Sequence, residues 1–166
     1  EATLGDGVST TITTIQKMFN IPINYFAMVN MSGLGDVVDR LGGIQAVSPL
    51  TFDFSQETAH ETGNDLYRFT EGKSDYYYAA DGEHFKHYKK MDGKAALAFS
   101  RMRYQDPKGD YGRTQRQRIL LEAIMNKVKK NPTTILNTDF INATTKNIAS
   151  NLKLGDMLAL GSNYKI

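Results

Sequence analysis

The stretch that decides the fold runs from Tyr25 to Ile44, YFAMVNMSGLGDVVDRLGGI. Residues 25–31 form an apolar run of strand length, bounded upstream by Pro22, and read as a buried strand. Ser32 stands where a helix N-cap is wanted, and Leu34, Val37, Val38 and Leu41 follow at the three- and four-residue spacing of one helical face. Gly42 and Gly43 then close that helix, since glycine takes the left-handed cap conformation without a Cβ penalty. A second strand is expected from Ile44. Upstream, Val8, Ile12, Ile15 and Phe19 keep helical spacing, with Ser9 or Thr10 as cap. Helix, strand, helix, strand in this order predicts an α/β fold, a layered α-β-α sandwich around a mixed central sheet.

Farther along, the period changes. Leu66 to Phe69 reads as a short strand, and Tyr76 to Ala80 with Glu83 to Tyr88 as an inserted β-hairpin around Ala80-Asp81-Gly82. Asp92 caps a helix through Ala95, Ala96, Leu97 and Phe99. The longest helix is expected from Arg113 to Lys130, with Ile119, Leu120, Ala123, Ile124 and Val128 on its buried side and three lysines complementing the dipole at its end. Helical pieces are also expected after Asn131-Pro132, over Phe140–Leu152 and over Leu154–Leu160. At 166 residues, 40% hydrophobic and 23% charged, residues 1–166 read as a single globular domain with a sizeable core. Cys is absent, and no apolar run reaches membrane-spanning length.

Charge is the next signal. The net charge is only +2, yet residues 99–118 hold Arg101, Arg103, Lys108, Arg113, Arg116 and Arg118 against Asp106 and Asp110, +4 in one stretch. Charge concentrated in this way calls for an anionic partner. Arg101 and Arg103 stand two apart at a helix end or in a short strand; Pro107, Gly109 and Gly112 mark a loop. Arg113, Gln117, Leu120 and Ile124 then share one helical face, which puts Arg113 and Gln117 beside the free N–H groups of a helix start. Guanidinium forks aimed at that point suit a phosphate or pyrophosphate. Arg116 and Arg118 are expected on the solvated side. The structural alternative for Arg101 and Arg103 is a salt-bridged pair. Asp110 either relieves the positive self-repulsion of its loop or orients an arginine, and Asp39 reads as a surface residue of an amphipathic helix. His84 and His87, three apart in a hairpin, are expected on opposite strand faces, so no metal site is predicted from them. Tyr76, Tyr77 and Tyr78 are most simply strand formers.

Three blocks carry a family resemblance: Ala95 to Arg103 continuing into Gly109-Asp110-Tyr111-Gly112-Arg113 and Arg116-Gln117-Arg118; Val38 to Ile44; and Asn20 to Phe26. Together they resemble the LytR-CpsA-Psr family of Gram-positive cell envelopes. The resemblance implies a phosphotransferase on the extracellular face of the cell membrane, which moves a glycopolymer of wall teichoic acid or capsule type from a polyprenyl-pyrophosphate carrier to peptidoglycan. By motif, Arg101, Arg103, Arg113 and Gln117 match pyrophosphate-contacting positions, and Asp110 an acidic position expected to orient an arginine. Leu120 and Ile124 are expected to face a polyprenyl chain. The family's earlier motif blocks, with the acidic residues that would hold magnesium or act as base, do not occur in this sequence. It therefore reads as the second half of a catalytic domain, an incomplete domain expected to be inactive alone, with a membrane anchor upstream and no magnesium ligands of its own. A rival reading is a non-catalytic polyanion- or nucleic-acid-binding module of transcriptional-attenuator type. The low net charge, and basic residues that bracket a loop instead of lining a recognition helix, argue against nucleic acid.

Overall fold

The computed structural model describes residues 6–130 and 148–151. The elements follow in the order α1 (Asp6–Phe19), β1 (Ala27–Val29), α2 (Met31–Arg40), β2 (Phe52–Ser55), β3 (Leu66–Phe69), β4 (Tyr76–Ala79), β5 (Lys86–Tyr88), α3 (Gly93–Arg101), α4 (Asp110–Lys130) and β6 (Ile148–Ser150). They fall into two compact units, one containing residues 6–30 and 148–151 and the other residues 31–130. No helix of the described residues is long and apolar enough to cross a membrane.

In the smaller unit β1 pairs antiparallel with β6, Ala27 opposite Ser150 and Val29 opposite Ile148. Asn151 extends the pairing with its side chain: its Oδ1 accepts from the Phe26 N–H and its Nδ2 donates to the Asn24 carbonyl, both at 2.9 Å. Residues 148–150 are thus strand, where local spacing predicts helix. A backbone ladder to residues more than a hundred positions away satisfies their polar groups, and local periodicity carries no record of it. The other pieces expected beyond Asn131 lie outside the described residues. α1 forms as predicted and ends at Asn20, whose φ of 51° is the left-handed cap that asparagine tolerates. Its apolar stripe is not wholly core, for Ile15 and Phe19 are exposed.

The larger unit holds the main core. β2 to β5 form an antiparallel meander in sequence order, so the predicted hairpin is the far half of a four-stranded sheet. Phe52 lies opposite Phe69 and Phe69 opposite Tyr76. This row faces α3, and Phe99 meets Phe69 edge-on at 5.3 Å between ring centres. On the other face Asp53, Arg68, Tyr77 and His87 stand side by side across the four strands, with Asp53 and Arg68 forming a two-pronged ion pair. Leu34, Val37 and Val38 of α2, and Leu41 just beyond its end, are buried as their spacing predicts. Gly42 and Gly43, at φ 69° and 84°, donate back to the carbonyls of Asp39 and Val38 and close the helix. The strand expected at Ile44 is reduced to a single bridge to Met91. The α/β class holds, and the strand pairs among the described residues are antiparallel, with one isolated parallel bridge between Ser48 and Glu71.

α2 and α3 pack backbone to backbone: a Cβ on Gly93 would strike the Gly35 carbonyl. Two carboxylates then cap α3. Asp92 accepts from the Ala95 N–H at 2.8 Å, as predicted, and Asp39 accepts from the Gly93 N–H at 2.7 Å. Asp39 is exposed on α2, as its amphipathic pattern predicts, and the capping role is an addition to that reading. Its carboxylate satisfies an N–H that the first turn of α3 leaves unpaired.

Candidate anion-binding site

Three predicted residues come together where α4 begins. The helix starts at Asp110, three residues ahead of the predicted boundary, because the Gly109 carbonyl already takes the Arg113 N–H at 3.2 Å. Asp110 consequently sits in the first turn, where a carboxylate is favoured by the dipole. Its Oδ1 lies 3.1 Å from Arg103 Nε and 3.4 Å from an Arg113 terminal nitrogen. One carboxylate oxygen thus holds two guanidinium groups side by side, and each keeps N–H donors free, since arginine carries five. All three side chains are about half exposed. This is an open electropositive cluster, with two forks and a helix start available to an anion.

The remaining predicted residues are placed differently. Arg101 is the last residue of α3 and exposed, with no ion-pair partner among the described residues. Gln117 is one turn beyond Arg113 and half-buried; Ile124 is also half-buried, whereas Leu120 is wholly buried in the core.

The clearest correction concerns Arg116. Expected on the solvated side, it is completely buried, the largest side chain to be so among the described residues. The buried line of α4 is Gly112, Arg116 and Leu120, at spacings of four, one residue round from the stripe containing Arg113 and Gln117. Arg116 belongs to it because its donors are used up: Nε donates to the Phe99 carbonyl at 3.0 Å, one terminal nitrogen to Asp106 Oδ2 and the other to the Met102 carbonyl. Burial pulls its pKa down, and the Asp106 carboxylate opposes that shift. Asp106 is itself almost inaccessible, and Gly112 has no Cβ because the Asp106 carboxylate occupies that space. The free carbonyls at the end of α3, the turn at Asp106 and the first turns of α4 are therefore locked by one buried ion pair. A second clamp is Gln105, whose side-chain amide donates to the Asp53 carbonyl at 2.6 Å and accepts from the Asp53 N–H at 3.4 Å, joining the loop to the sheet edge. Arg103 projects from the loop between these clamps. Sequence reasoning missed Asp106, Gln105 and Gly112 as supports. The available signal was the spacing of four from Gly112 to Arg116 to Leu120.

His84 lies in the turn ahead of β5 and only His87 in the strand, so the expected placement on opposite faces of one strand does not apply. His84 pairs with Asp81 of the turn at 2.7 Å, and His87 with Asp75 at 2.6 Å. Among the described residues no three His, Cys, Asp or Glu side chains gather where a metal ion would need them.

The α/β framework thus presents an arginine–carboxylate cluster at a helix start. The chain belongs to the LytR_cpsA_psr family, whose model matches residues 2–166. It is similar to the polyisoprenyl-teichoic acid–peptidoglycan teichoic acid transferase TagU of Enterococcus faecalis, 34% identical over 159 residues, and to TagU of Bacillus cereus, 35% identical over 159 residues. Each alignment covers 96% of this chain and 44% of the relative, so the chain spans a little under half the length of these relatives. Among solved structures, that of B. subtilis TagU superposes with a TM-score of 0.62 at 32% identity, covering 92% of this chain and 55% of that one.

Proposed function

We propose that this chain is part of a cell-envelope phosphotransferase that takes a glycopolymer from a polyprenyl-pyrophosphate carrier and joins it to peptidoglycan. The observation that carries the reading is the Arg103–Asp110–Arg113 cluster at the start of α4, within a chain similar to teichoic acid transferases. In such a reaction an acceptor hydroxyl oxygen attacks the phosphorus bonded to the glycopolymer. A new phosphodiester forms, the bond to the second phosphate breaks, and polyprenyl phosphate leaves, the hydroxyl proton being released to solvent. Charge grows on the leaving phosphate, and the protein contributes mainly by neutralising and positioning it. Arg103 and Arg113 are assigned that task, with Arg101 and Gln117 as further contacts. Asp110 is a positioning residue: it spends one oxygen on the two guanidinium groups and keeps them converging. Ile124, half-buried on the same helix, is assigned to the lipid side.

Magnesium is expected of the intact family domain, but the residues described here do not suit it. The only carboxylate in the cluster is committed to two cations, and a hard cation wants several oxygen ligands. No step is routed through it. A location on the outer face of the membrane of a Gram-positive cell, with an anchor elsewhere in the protein and capsule-type polymers as further substrates, belongs to the same proposal.

The test is a titration of the chain with a short polyprenyl pyrophosphate, beside a DNA oligomer of equal charge, at moderate and high salt. Lipid affinity should resist salt, and DNA affinity should fall steeply with it. Arg103→Ala and Arg113→Ala should each cost about 1.5 to 3 kcal/mol of lipid affinity, the range for hydrogen bonds to charged groups. Arg118→Ala should cost little, since Arg118 is exposed and, among the described residues, paired only with Glu122. Equal losses at all three positions would replace the pocket with a diffuse basic patch.

A further inference from the structure

A cavity of about 400 Å3 opens between two loops, lined by His60, Glu61 and Thr62 from the β2–β3 connection and by Met102, Tyr104 and Gln105 from the α3–α4 connection. Both walls are built in advance. His60 is held through its backbone: its N–H donates to Thr58 Oγ1 at 3.2 Å, and its carbonyl accepts from the Ser55 N–H at 2.7 Å. Thr58 Oγ1 in turn donates to the Thr62 carbonyl at 2.6 Å. On the opposite wall the Gln105–Asp53 clamp fixes the residue next to Tyr104. The Tyr104 ring stacks on His60 with centres 5.2 Å apart, yet Tyr104 is 72% exposed. One aromatic face is therefore used to hold the ring still, and much of the rest is open to the cavity and solvent.

The lining selects the ligand. Among the described residues no Lys or Arg borders the cavity, so its lining does not favour phosphate. It combines an aromatic platform with a carboxylate, an imidazole and a hydroxyl-bearing residue, which suits a ligand having one apolar C–H face and a rim of hydroxyl groups. A pyranose ring has that form, and the volume has room for one. We propose that this cavity is a pyranose-binding subsite, with Tyr104 as the stacking platform and Glu61 as hydroxyl acceptor. Tyr104 follows Arg103 directly in the chain, so the subsite would seat a sugar next to the pyrophosphate. Only that last role rests on the phosphotransferase reading; sugar binding itself does not.

The experiment is an NMR titration of the chain with chitotetraose, an uncharged β-1,4-linked N-acetylglucosamine oligomer. Saturable shifts are expected at Tyr104 and His60. Tyr104→Ala should weaken binding by about tenfold, the worth of one stacked ring. Tyr104→Phe should retain it, and Tyr111→Ala, at a residue 86% exposed on α4, should leave it unchanged. Repeating the titration with a polyprenyl-pyrophosphate-linked sugar present separates two sources of the pyranose. Simultaneous binding assigns the subsite to an acceptor glycan, and competition assigns it to the donor's own first sugar. Sugar binding without any lipid binding would keep the subsite and overturn the phosphotransferase reading. The subsite itself is overturned by no saturable shift in the native chain, or by a Tyr104→Ala variant that melts and binds like the native chain.

Discussion

Arg116 shows how a charged side chain becomes part of a core. Its three nitrogens are matched to two helix-end carbonyls and a buried carboxylate, so it keeps its hydrogen bonds after leaving water. Removing one partner strands the other. Arg116→Ala should cost about 3 to 5 kcal/mol of stability, because Asp106 would be left buried and unpaired. Gly112→Ala should destabilise without touching any charge, by about 1 to 3 kcal/mol or more, since the added methyl claims the space of the Asp106 carboxylate. Thermal or denaturant unfolding of the two variants checks both; a Gly112→Ala protein as stable as the native one would show that the loop can move aside. Arg113, three residues earlier on the helix, is half exposed and held by Asp110. Asp110→Asn should leave the melting temperature nearly unchanged while weakening pyrophosphate binding, an outcome that separates positioning from structure.

At the scale of elements, the sheet β2 to β5 carries a pH signature. Burial raises the pKa of Tyr67 and Tyr76, and the hydrogen bond that Tyr78 donates to Asp65 at 2.7 Å pushes that phenol up to about 12. Each folded value lies above the unfolded one, so the stabilisation is complete below about pH 10 and is lost as pH rises further, when the unfolded chain ionises first. Melting temperature should hold between pH 7 and 9 and fall above about pH 10. A melting temperature that stays flat through that range would contradict the assignment. At the acid end Asp81 behaves in the opposite sense. The backbone N–H groups of His84 and Glu83 keep its carboxyl below the usual range, and that contribution fades as pH falls under the unfolded value of about 3.9. The start of α3 depends on a residue from another helix, so Asp39→Ala should cost about 1 kcal/mol, the usual worth of a cap.

At the scale of the molecule, a net charge of +2 with +4 in residues 99–118 makes position matter more than amount. The basic groups have different fates: Arg116 is buried, Arg118 is solvated, and Arg103 and Arg113 are gathered on one carboxylate. A polyanion that responded only to total charge would be released by salt in proportion to the contacts it makes. A pyrophosphate gripped by two forks at a helix start should be less sensitive, and that difference is what the paired titrations read.

What the sequence determined by itself was local. The 3.6-residue spacing in 34–41 gave the buried face of α2, Gly42-Gly43 its end, Asp92 the start of α3, and the Asp81-Gly82 turn the hairpin, because each depends on groups a few residues apart. The family, too, was legible in the linear pattern of arginines. Only the tertiary structure decided that residues 148–150 are a strand, that Asp39 caps a helix fifty-four residues away, and that Arg116 turns inward. In each case the deciding partner is distant in the chain: a strand to pair with, an orphan N–H, or a set of carbonyls and a carboxylate that together replace water.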